Sequence, residues 1–294
     1  MTKVSCSIPE RFVNPLFEVF DGGDFILSSY RDIEKPLTEM RIYFEDAKDT
    51  EAAKRALKSA LDIVTDGSLV AEIAVEDVPE DDWKFAYRRH FKTELVSPRI
   101  YTVPEWEAEE FLSGGKAEKG QIAIVSDPGM AFGTGKHETT KACLQFIDEV
   151  FAERLPASFL DMGTGSGILS IAAAKLGCGA VTAFDVDEEA VEAARENAAK
   201  NGVKVEVFRY GLGAKVRREL PVSDFVVANI LGPLLIRFAD EIAPAVGGRL
   251  VISGILTELY PEVLAAYVAH GFREVSRKTI GEWTTGLLER KNLI

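Results

Sequence analysis

The sequence contains few cysteines and no spacing that is typical of a zinc site. Among 294 residues the cysteines are Cys6, Cys143 and Cys178, and no two of them have CxxC spacing. An odd number without paired spacing excludes a disulfide framework and a zinc cluster as the basis of the fold. We therefore expect a protein of a reducing compartment that has no metal site.

Long apolar runs and an excess of basic residues are also absent. No run approaches the roughly 18 apolar residues of a membrane span, and the first residues lack the apolar core of a signal peptide. Lysine and arginine total 34 against 47 aspartates and glutamates, which gives a formal charge of −13. Binding to nucleic acid needs local basic charge. We expect a cytoplasmic protein that binds no membrane and does not bind nucleic acid as its main function.

Hydrophobic periodicity predicts a small α+β domain over residues 1–78. The predicted strands are Val4–Ile8, Phe25–Tyr30, Glu39–Phe44 and Leu69–Val75, and the predicted helices are Pro9–Phe20 and Asp49–Val64. The resulting order βαββαβ is the ferredoxin-like pattern. This fold serves many functions, so by itself it names none.

Residues 79–119 are predicted to be a connector, because Pro79, Pro98 and Pro104 and acidic stretches interrupt the hydrophobic pattern. The segment Trp83–Lys92 within it is basic and aromatic. A short basic run in an acidic protein usually forms a solvated face. We therefore favour a linker helix over a contact for RNA or for an acidic partner.

Residues 120–294 alternate regularly between predicted strands and helices. The strands are Phe159–Met162, Ala180–Asp185, Lys204–Phe208, Phe225–Asn229, Arg249–Ser253, Arg273–Ile280 and Trp283–Glu289. The helices are Thr139–Arg154, Ile168–Leu176, Glu188–Asn201, Pro233–Ala243 and Leu259–His270. Alternation of this kind predicts an α/β fold with a parallel sheet. Because only two residues separate the last two strands, the final strand should run antiparallel to its neighbour at the sheet edge.

A glycine-rich loop follows the first strand of this domain. The segment Leu160–Ile168 reads LDMGTGSGI, whereas the dinucleotide-binding pattern GxGxxG would need a glycine at position 168. Asp161 would repel a pyrophosphate and suits a cation. Asp185, 22 residues after Gly163, ends the next strand and can accept hydrogen bonds from both hydroxyls of a ribose. The pattern favours a nucleoside that carries positive charge and no essential phosphate.

Several further motifs occur in a fixed order along the same domain. They are DPGMAFGTG at 127–135, His137, the pair Thr139-Thr140, the glycine loop, VANIL at 227–231, SGIL at 253–256 and GEW at 281–283. With these motifs, residues 120–294 resemble a class I S-adenosylmethionine-dependent methyltransferase of the ribosomal protein L11 methyltransferase (PrmA) family. The resemblance implies a Rossmann-like seven-stranded domain at residues 120–294, preceded by a ferredoxin-like substrate-recognition domain at residues 1–78.

The resemblance also implies a cofactor, a substrate and a set of site residues. The cofactor would be S-adenosylmethionine, and the substrate would be amino groups of ribosomal protein L11: lysine side chains, with the N-terminal amine as a further candidate. Thr140, Gly163, Asp185 and Asn229 fall on cofactor-binding positions of the family. The other candidates for cofactor binding are the neighbouring loop residues Asp161, Gly165, Phe132 and Gly133.

Methyl transfer to nitrogen requires a neutral amine whose lone pair faces the methyl carbon. Because the ordinary pKa of lysine is near 10.4, a pocket with little water must disfavour its charged form. We expect Asn229 and Ile230 to be catalytic, with the Asn229 side-chain oxygen and an Asn229 or Ile230 carbonyl accepting the amine hydrogens. Phe132 and Trp283 are candidates for the wall of the substrate channel. We expect His137 to be a hydrogen-bonding scaffold rather than the base.

The sequence departs from the family pattern at three places. One residue is missing after Asn229-Ile230-Leu231, Glu138 replaces a proline, and the third strand ends without a carboxylate for the adenine amino group. Two alternatives stay open: a related protein-lysine methyltransferase with another protein substrate, and a module that binds S-adenosylmethionine without catalysis. The asparagine motif favours an enzyme, because a binding module needs no hydrogen-bond acceptors at the methyl group.

Overall fold

The computed structural model describes residues 2–20, 25, 27–31, 36–44, 47–69, 71–77, 92–126, 137–214 and 219–291. The predicted linker helix Trp83–Lys92, except for Lys92, lies outside these residues. The chain divides into two compact units, residues 1–90 and residues 91–294.

The first unit is an antiparallel sheet with two helices. Its strands are β1 Thr2–Ile8, β2 Leu27–Arg31, β3 Thr38–Phe44 and β4 Ala74–Asp77, and its helices are α1 Val13–Phe20 and α2 Thr50–Thr65. The sheet order is β2-β3-β1-β4. Val4, Cys6 and Ile8 alternate along β1 and share one core with Leu57 of α2. The predicted ferredoxin-like order is therefore confirmed, although β4 begins later than the predicted strand.

The large sheet of the second unit has seven strands. They are β8 Ser158–Met162, β9 Ala180–Asp185, β10 Glu206–Arg209, β11 Ser223–Asn229, β12 Val246–Leu256, β13 Phe272–Ile280 and β14 Trp283–Arg290. The order is β10-β9-β8-β11-β12-β14-β13, and β14 is antiparallel to both of its neighbours. The predicted Rossmann-like sheet with a final hairpin is confirmed. The final strand is inserted between β12 and β13, however, so β13 forms the edge; β14 is mostly buried, whereas β13 is mostly exposed.

Helices cover both faces of this sheet. The helices are α4 Glu138–Glu153, α5 Ile168–Lys175, α6 Glu188–Lys200, α7 Gly232–Arg237, α8 Ala239–Ile242 and α9 Tyr260–Ala269. Phe225 and Val227 of β11 pack with α4 and α5, and the alternating Val226 and Ala228 pack with α7 and α9. The prediction of one helix over Pro233–Ala243 is wrong, because the backbone leaves helical geometry between α7 and α8, where φ is −108°.

A smaller sheet precedes the large one in the second unit. It consists of β5 Glu94–Ser97, β6 Ile100–Pro104 and β7 Ile122–Ser126, with helix α3 Glu105–Ser113 between β6 and β7. Within the predicted connector, residues 92–119 thus carry regular structure and belong to the second unit. The buried Asp148 of α4 holds the β5–β6 turn, because its carboxylate accepts from Arg99 Nε at 2.5 Å. Among the described residues, every helix is too short or too polar to cross a bilayer.

Candidate active site

The glycine loop connects β8 to α5 at the edge of the sheet where the parallel strands end. Gly163, Gly165 and Gly167 have φ values of 73°, 52° and 81°, a region that side chains with a Cβ rarely occupy. A Cβ on Gly163 would lie 2.5 Å from Cγ2 of Ile230, and one on Gly167 would lie 3.1 Å from Cβ of Ala194. Backbone conformation and close packing both require glycine at positions 163 and 167.

Hydrogen bonds from other elements hold this loop in place. The N–H groups of Gly163 and Thr164 donate to the Phe184 carbonyl oxygen at 2.9 and 3.0 Å. The buried Asn197 of α6 donates its Nδ2 to the Ser166 carbonyl oxygen at 2.9 Å. Sequence reasoning missed Asn197; the available signal was an amide among the alanines and valine of the buried face of α6.

Asp185 ends β9 next to the loop, and its carboxylate is fixed in orientation. Its Oδ2 accepts from the N–H of Gly165 at 2.9 Å, and its Oδ1 accepts from the N–H of Asp187 at 3.1 Å. Asp187 caps α6 by accepting from the N–H of Glu189 at 3.1 Å. Because each carboxylate oxygen can accept more than one hydrogen bond, Asp185 keeps acceptor capacity for a ligand.

Asp161 is fully buried beneath the loop. Its Oδ2 accepts from the hydroxyls of Thr164 and Ser170, both at 2.7 Å. Burial raises the pKa of this carboxyl to about 6, and the two hydroxyls partly oppose that effect. Its Oδ1 is buried and has no hydrogen-bond partner. A buried carboxylate with an unpaired oxygen favours a cationic neighbour.

Two further polar atoms in this region are buried without partners. They are Thr140 Oγ1 and Asn229 Oδ1. Thr140, Gly163, Gly165 and Asn229 line one small cavity, here called the polar cleft. Buried polar atoms normally have hydrogen-bond partners, so the cleft is built for a ligand that supplies them. The structure brings these predicted site residues together, with Asp161 and Asp185 hydrogen-bonded to the same loop.

A second cavity of about 480 Å³, here called the apolar cavity, also contacts Asn229. Most of its wall is apolar. The lining residues are His137, Thr139, Asn229, Ile230, Leu231, Leu234, Gly254 and Trp283. Asn229 thus lines both the polar cleft and the apolar cavity.

The backbone of Ile230 is held close to Gly254. Gly254 has a φ of 79°, and a Cβ there would lie 2.4 Å from the Ile230 carbonyl oxygen. The Oγ atoms of Ser253 and Thr285 lie 2.7 Å apart, which ties β12 to β14 next to this contact. The serine and glycine of the SGIL motif therefore allow the close approach between β12 and the segment after β11.

His137 and Trp283 lie side by side at the apolar cavity. Nδ1 of His137 accepts from the N–H of Thr139 at 3.3 Å and so caps α4. The rings of His137 and Trp283 meet edge to face, with centroids 5.1 Å apart. The other two candidates of the loop before His137, Phe132 and Gly133, lie outside the described residues, so their roles stay predictions.

A carboxylate from a distant helix lies at the end of β10, the third predicted strand of the large domain. Glu241 of α8 accepts from the Tyr210 hydroxyl at 2.5 Å and from the N–H of Gly213 at 2.9 Å. Sequence reasoning found no carboxylate within this strand end and could not detect Glu241, because the two segments are joined only by the fold.

Comparisons with known proteins agree with this geometry. A sequence profile of the ribosomal protein L11 methyltransferase (PrmA) family matches residues 23–291. The ribosomal protein L11 methyltransferase of Pelobacter propionicus is 36% identical over 286 residues, which are 93% of this chain and 86% of that protein. The protein of the same name from Geotalea daltonii is 35% identical and covers 96% of each chain.

A solved structure extends the comparison to three dimensions. The crystal structure of ribosomal protein L11 methylase from Lactobacillus delbrueckii subsp. bulgaricus superposes with a TM-score of 0.60 at 32% identity. The match covers 69% of this chain and 100% of that one. The chain therefore belongs to the ribosomal protein L11 methyltransferase (PrmA) family, whose members are S-adenosylmethionine-dependent methyltransferases.

Proposed function

We propose that the protein transfers methyl groups from S-adenosylmethionine to amino groups of ribosomal protein L11, namely lysine side chains, with the N-terminal amine as a further candidate. The observation that carries the proposal is Asn229, whose buried, unpartnered Oδ1 lies where a polar cleft and an apolar cavity meet. The names of the relatives from Pelobacter and Geotalea support the choice of substrate.

The polar groups in and around the polar cleft suit S-adenosylmethionine. Asp161 Oδ1 can accept from the methionine ammonium, and the Thr140 hydroxyl can pair with the ammonium or the carboxylate, so both unpartnered atoms are used. The Asp185 carboxylate can accept from the ribose hydroxyls. Gly163 and Gly165 leave the backbone open to the ligand, because no Cβ covers it. When bound, the cofactor supplies a methyl group on a positively charged sulfur, which the two aspartates complement.

The apolar cavity fits the stem and amino group of a lysine. Leu231, Leu234 and Trp283 give the cavity apolar walls, and burial against them would lower the pKa of an entering ammonium, so that its proton leaves to solvent. Asn229 Oδ1 then accepts one hydrogen of the neutral amine, and the Ile230 carbonyl accepts the other. The lone pair faces the methyl group, and alignment of this kind contributes up to roughly 7–11 kcal/mol to catalysis.

The two units have separate roles in this proposal. Residues 1–78 form a ferredoxin-like domain that recognises the substrate, and the second unit, which includes residues 92–119, carries the transfer. The formal charge of −13 attracts a basic ribosomal protein and speeds its association, an effect that salt weakens. A ribosomal substrate also implies a cytoplasmic protein.

The test is methylation of a defined substrate. The purified protein is incubated with methyl-labelled S-adenosylmethionine and purified ribosomal protein L11, treated with ribonuclease, and digested for mass spectrometry. We expect ribonuclease-resistant label on lysine side chains or the N-terminal amine. Normal cofactor binding without label in ribosomal protein L11 would contradict the proposed substrate.

A further inference from the structure

A second large pocket lies at the opposite edge of the seven-stranded sheet from the active site. It has a volume of about 520 Å³ and includes Asp224 and Phe225 at the start of β11, and Arg249 near the start of β12. Asn229 lies five residues further along β11, about 17 Å away at roughly 3.3 Å per residue. The volume is in the range of small-molecule sites, roughly 300–1,000 Å³.

Basic side chains dominate the lining of this pocket. Five basic residues face two acidic ones, and they are Arg154, Arg249, Arg273, Arg290 and Lys291 against Asp224 and Glu289. The chain as a whole carries a formal charge of −13. The lining of the pocket is therefore mostly positive, although the chain as a whole is negative. A concave surface lined by charges of one sign concentrates ligands of the opposite sign.

The acidic groups near the pocket neutralise two of the arginines. Arg249 pairs with Glu153 at 2.7 Å and also approaches Glu289 at 3.9 Å. Arg273 pairs with Glu289 as well. Asp224 is engaged differently, because its Oδ2 accepts from the N–H of Ala157 at 2.8 Å.

Three basic side chains of the pocket, on Arg154, Arg290 and Lys291, do not pair with a carboxylate in the described part of the chain. The guanidinium of Arg290 donates to the carbonyl oxygens of Val246, at 2.5 Å, and Ala243. These contacts fix the group without cancelling its charge. Arg154 and Lys291 are exposed and have no ion-pair partner in the part of the chain that the structure describes. A guanidinium held in one orientation is well suited to a phosphate, which it can bind through two parallel hydrogen bonds.

We propose that this basic pocket binds a small phosphate-bearing anion of about the size of a nucleotide. Arg154, Arg290 and Lys291 neutralise the phosphates. Val150 and Phe225 provide an apolar floor for the uncharged part of the ligand. The site is separate from the polar cleft, whose own chemistry favours a cation.

The test measures binding of pyrophosphate and ADP by calorimetry at constant ionic strength. Saturating S-adenosylhomocysteine is present, so that ADP cannot enter the polar cleft. We expect both probes to bind with dissociation constants below about 1 mM, with ADP the tighter of the two because it also uses the apolar floor. Dissociation constants above about 10 mM for both probes, or equal dissociation constants for the two probes, would overturn the proposal.

Variants that remove positive charge and variants that remove negative charge should change the affinity for pyrophosphate in opposite directions. The double variant Arg154→Gln, Lys291→Gln should bind pyrophosphate about tenfold more weakly, since it removes two unpaired charges. Asp224→Asn should bind about threefold more tightly, because it removes a repelling carboxylate. Arg55→Gln, on the exposed face of α2, is the control and should change nothing. Melting temperatures verify folding, and unchanged pyrophosphate affinity in the folded double variant contradicts the site.

Discussion

The polar cleft and the apolar cavity meet at Asn229 and differ in what they can do to a ligand. Buried, unpartnered oxygens of Thr140 and Asn229 line the cleft, and that of Asp161 lies beneath the adjacent glycine loop, whereas Leu231 and Trp283 are typical of the wall of the cavity. Unpartnered oxygens fix a polar ligand by directed hydrogen bonds. Apolar walls act on the charge state of the group that enters. The division implies that cofactor affinity, amine activation and transfer depend on different residues.

The strongest test of this division is to remove the shared side chain. Asn229→Ala should lower kcat for methyl transfer about 100-fold, because the amine loses the acceptor that orients it. Affinity for S-adenosylhomocysteine should change much less, by about threefold. Steady-state kinetics with labelled cofactor and calorimetry measure the two quantities. A normal kcat would show that Asn229 does not orient the amine.

A change at the carboxylate beside the polar cleft that accepts from the ribose hydroxyls should act on the cofactor alone. Asp185→Ala should weaken S-adenosylhomocysteine binding about 30-fold, since it removes charge-assisted hydrogen bonds of roughly 1.5–3 kcal/mol. Asp185→Asn is the matched variant, and its affinity for S-adenosylhomocysteine should fall less, because its amide keeps one acceptor. If KM for the protein substrate rose in parallel with the cofactor dissociation constant, the two cavities would not be independent.

The carboxyl buried beneath the glycine loop should give cofactor binding a pH dependence. The pKa of Asp161 is raised to about 6 by burial, so the group is ionised above that pH and attracts the positive cofactor. Below it the carboxyl is protonated and the attraction is lost. Affinity should therefore fall about tenfold from pH 7 to pH 5. Calorimetry across this range should show the fall in the wild type, and a similar fall in Asp161→Asn would exclude this carboxyl as its source.

A change in the wall between the cavities should affect stability rather than binding or transfer. Gly163→Ala would push a Cβ to 2.5 Å from Cγ2 of Ile230, which itself lines the apolar cavity. Gly202→Ala is the matched control, because its φ of 67° is close to the 73° of Gly163 and nothing lies within 4 Å. Gly163→Ala should lower the free energy of unfolding by about 1–3 kcal/mol more than the control. Equal losses in denaturant titrations would mean that Ile230 moves aside freely.

Local signals in the sequence predicted most of the catalytic fold. The glycine loop, Asp185 and the strand that ends in Asn229 are each recognisable from a few neighbouring residues. The inner position of β14 agrees with its uncharged stretch from Trp283 to Leu288, a signal that the hairpin spacing alone does not convey. Two contacts of the site were not predicted. Asn197 donates a hydrogen bond to the glycine loop, and Glu241 accepts one from the Tyr210 hydroxyl. These contacts join segments about 30 residues apart and depend on the packing of helices, which periodicity does not reveal.

In the proposed mechanism, Asn229 acts on the transfer step and Asp185 acts on cofactor binding. Single-turnover rates at saturating cofactor and ribosomal protein L11 separate these two roles. We expect Asp185→Ala to regain a rate near that of the wild type once the cofactor is saturating, and Asn229→Ala to stay about 100-fold slower. Recovery of Asn229→Ala to the wild-type rate, or equal defects in both variants, would contradict the claim.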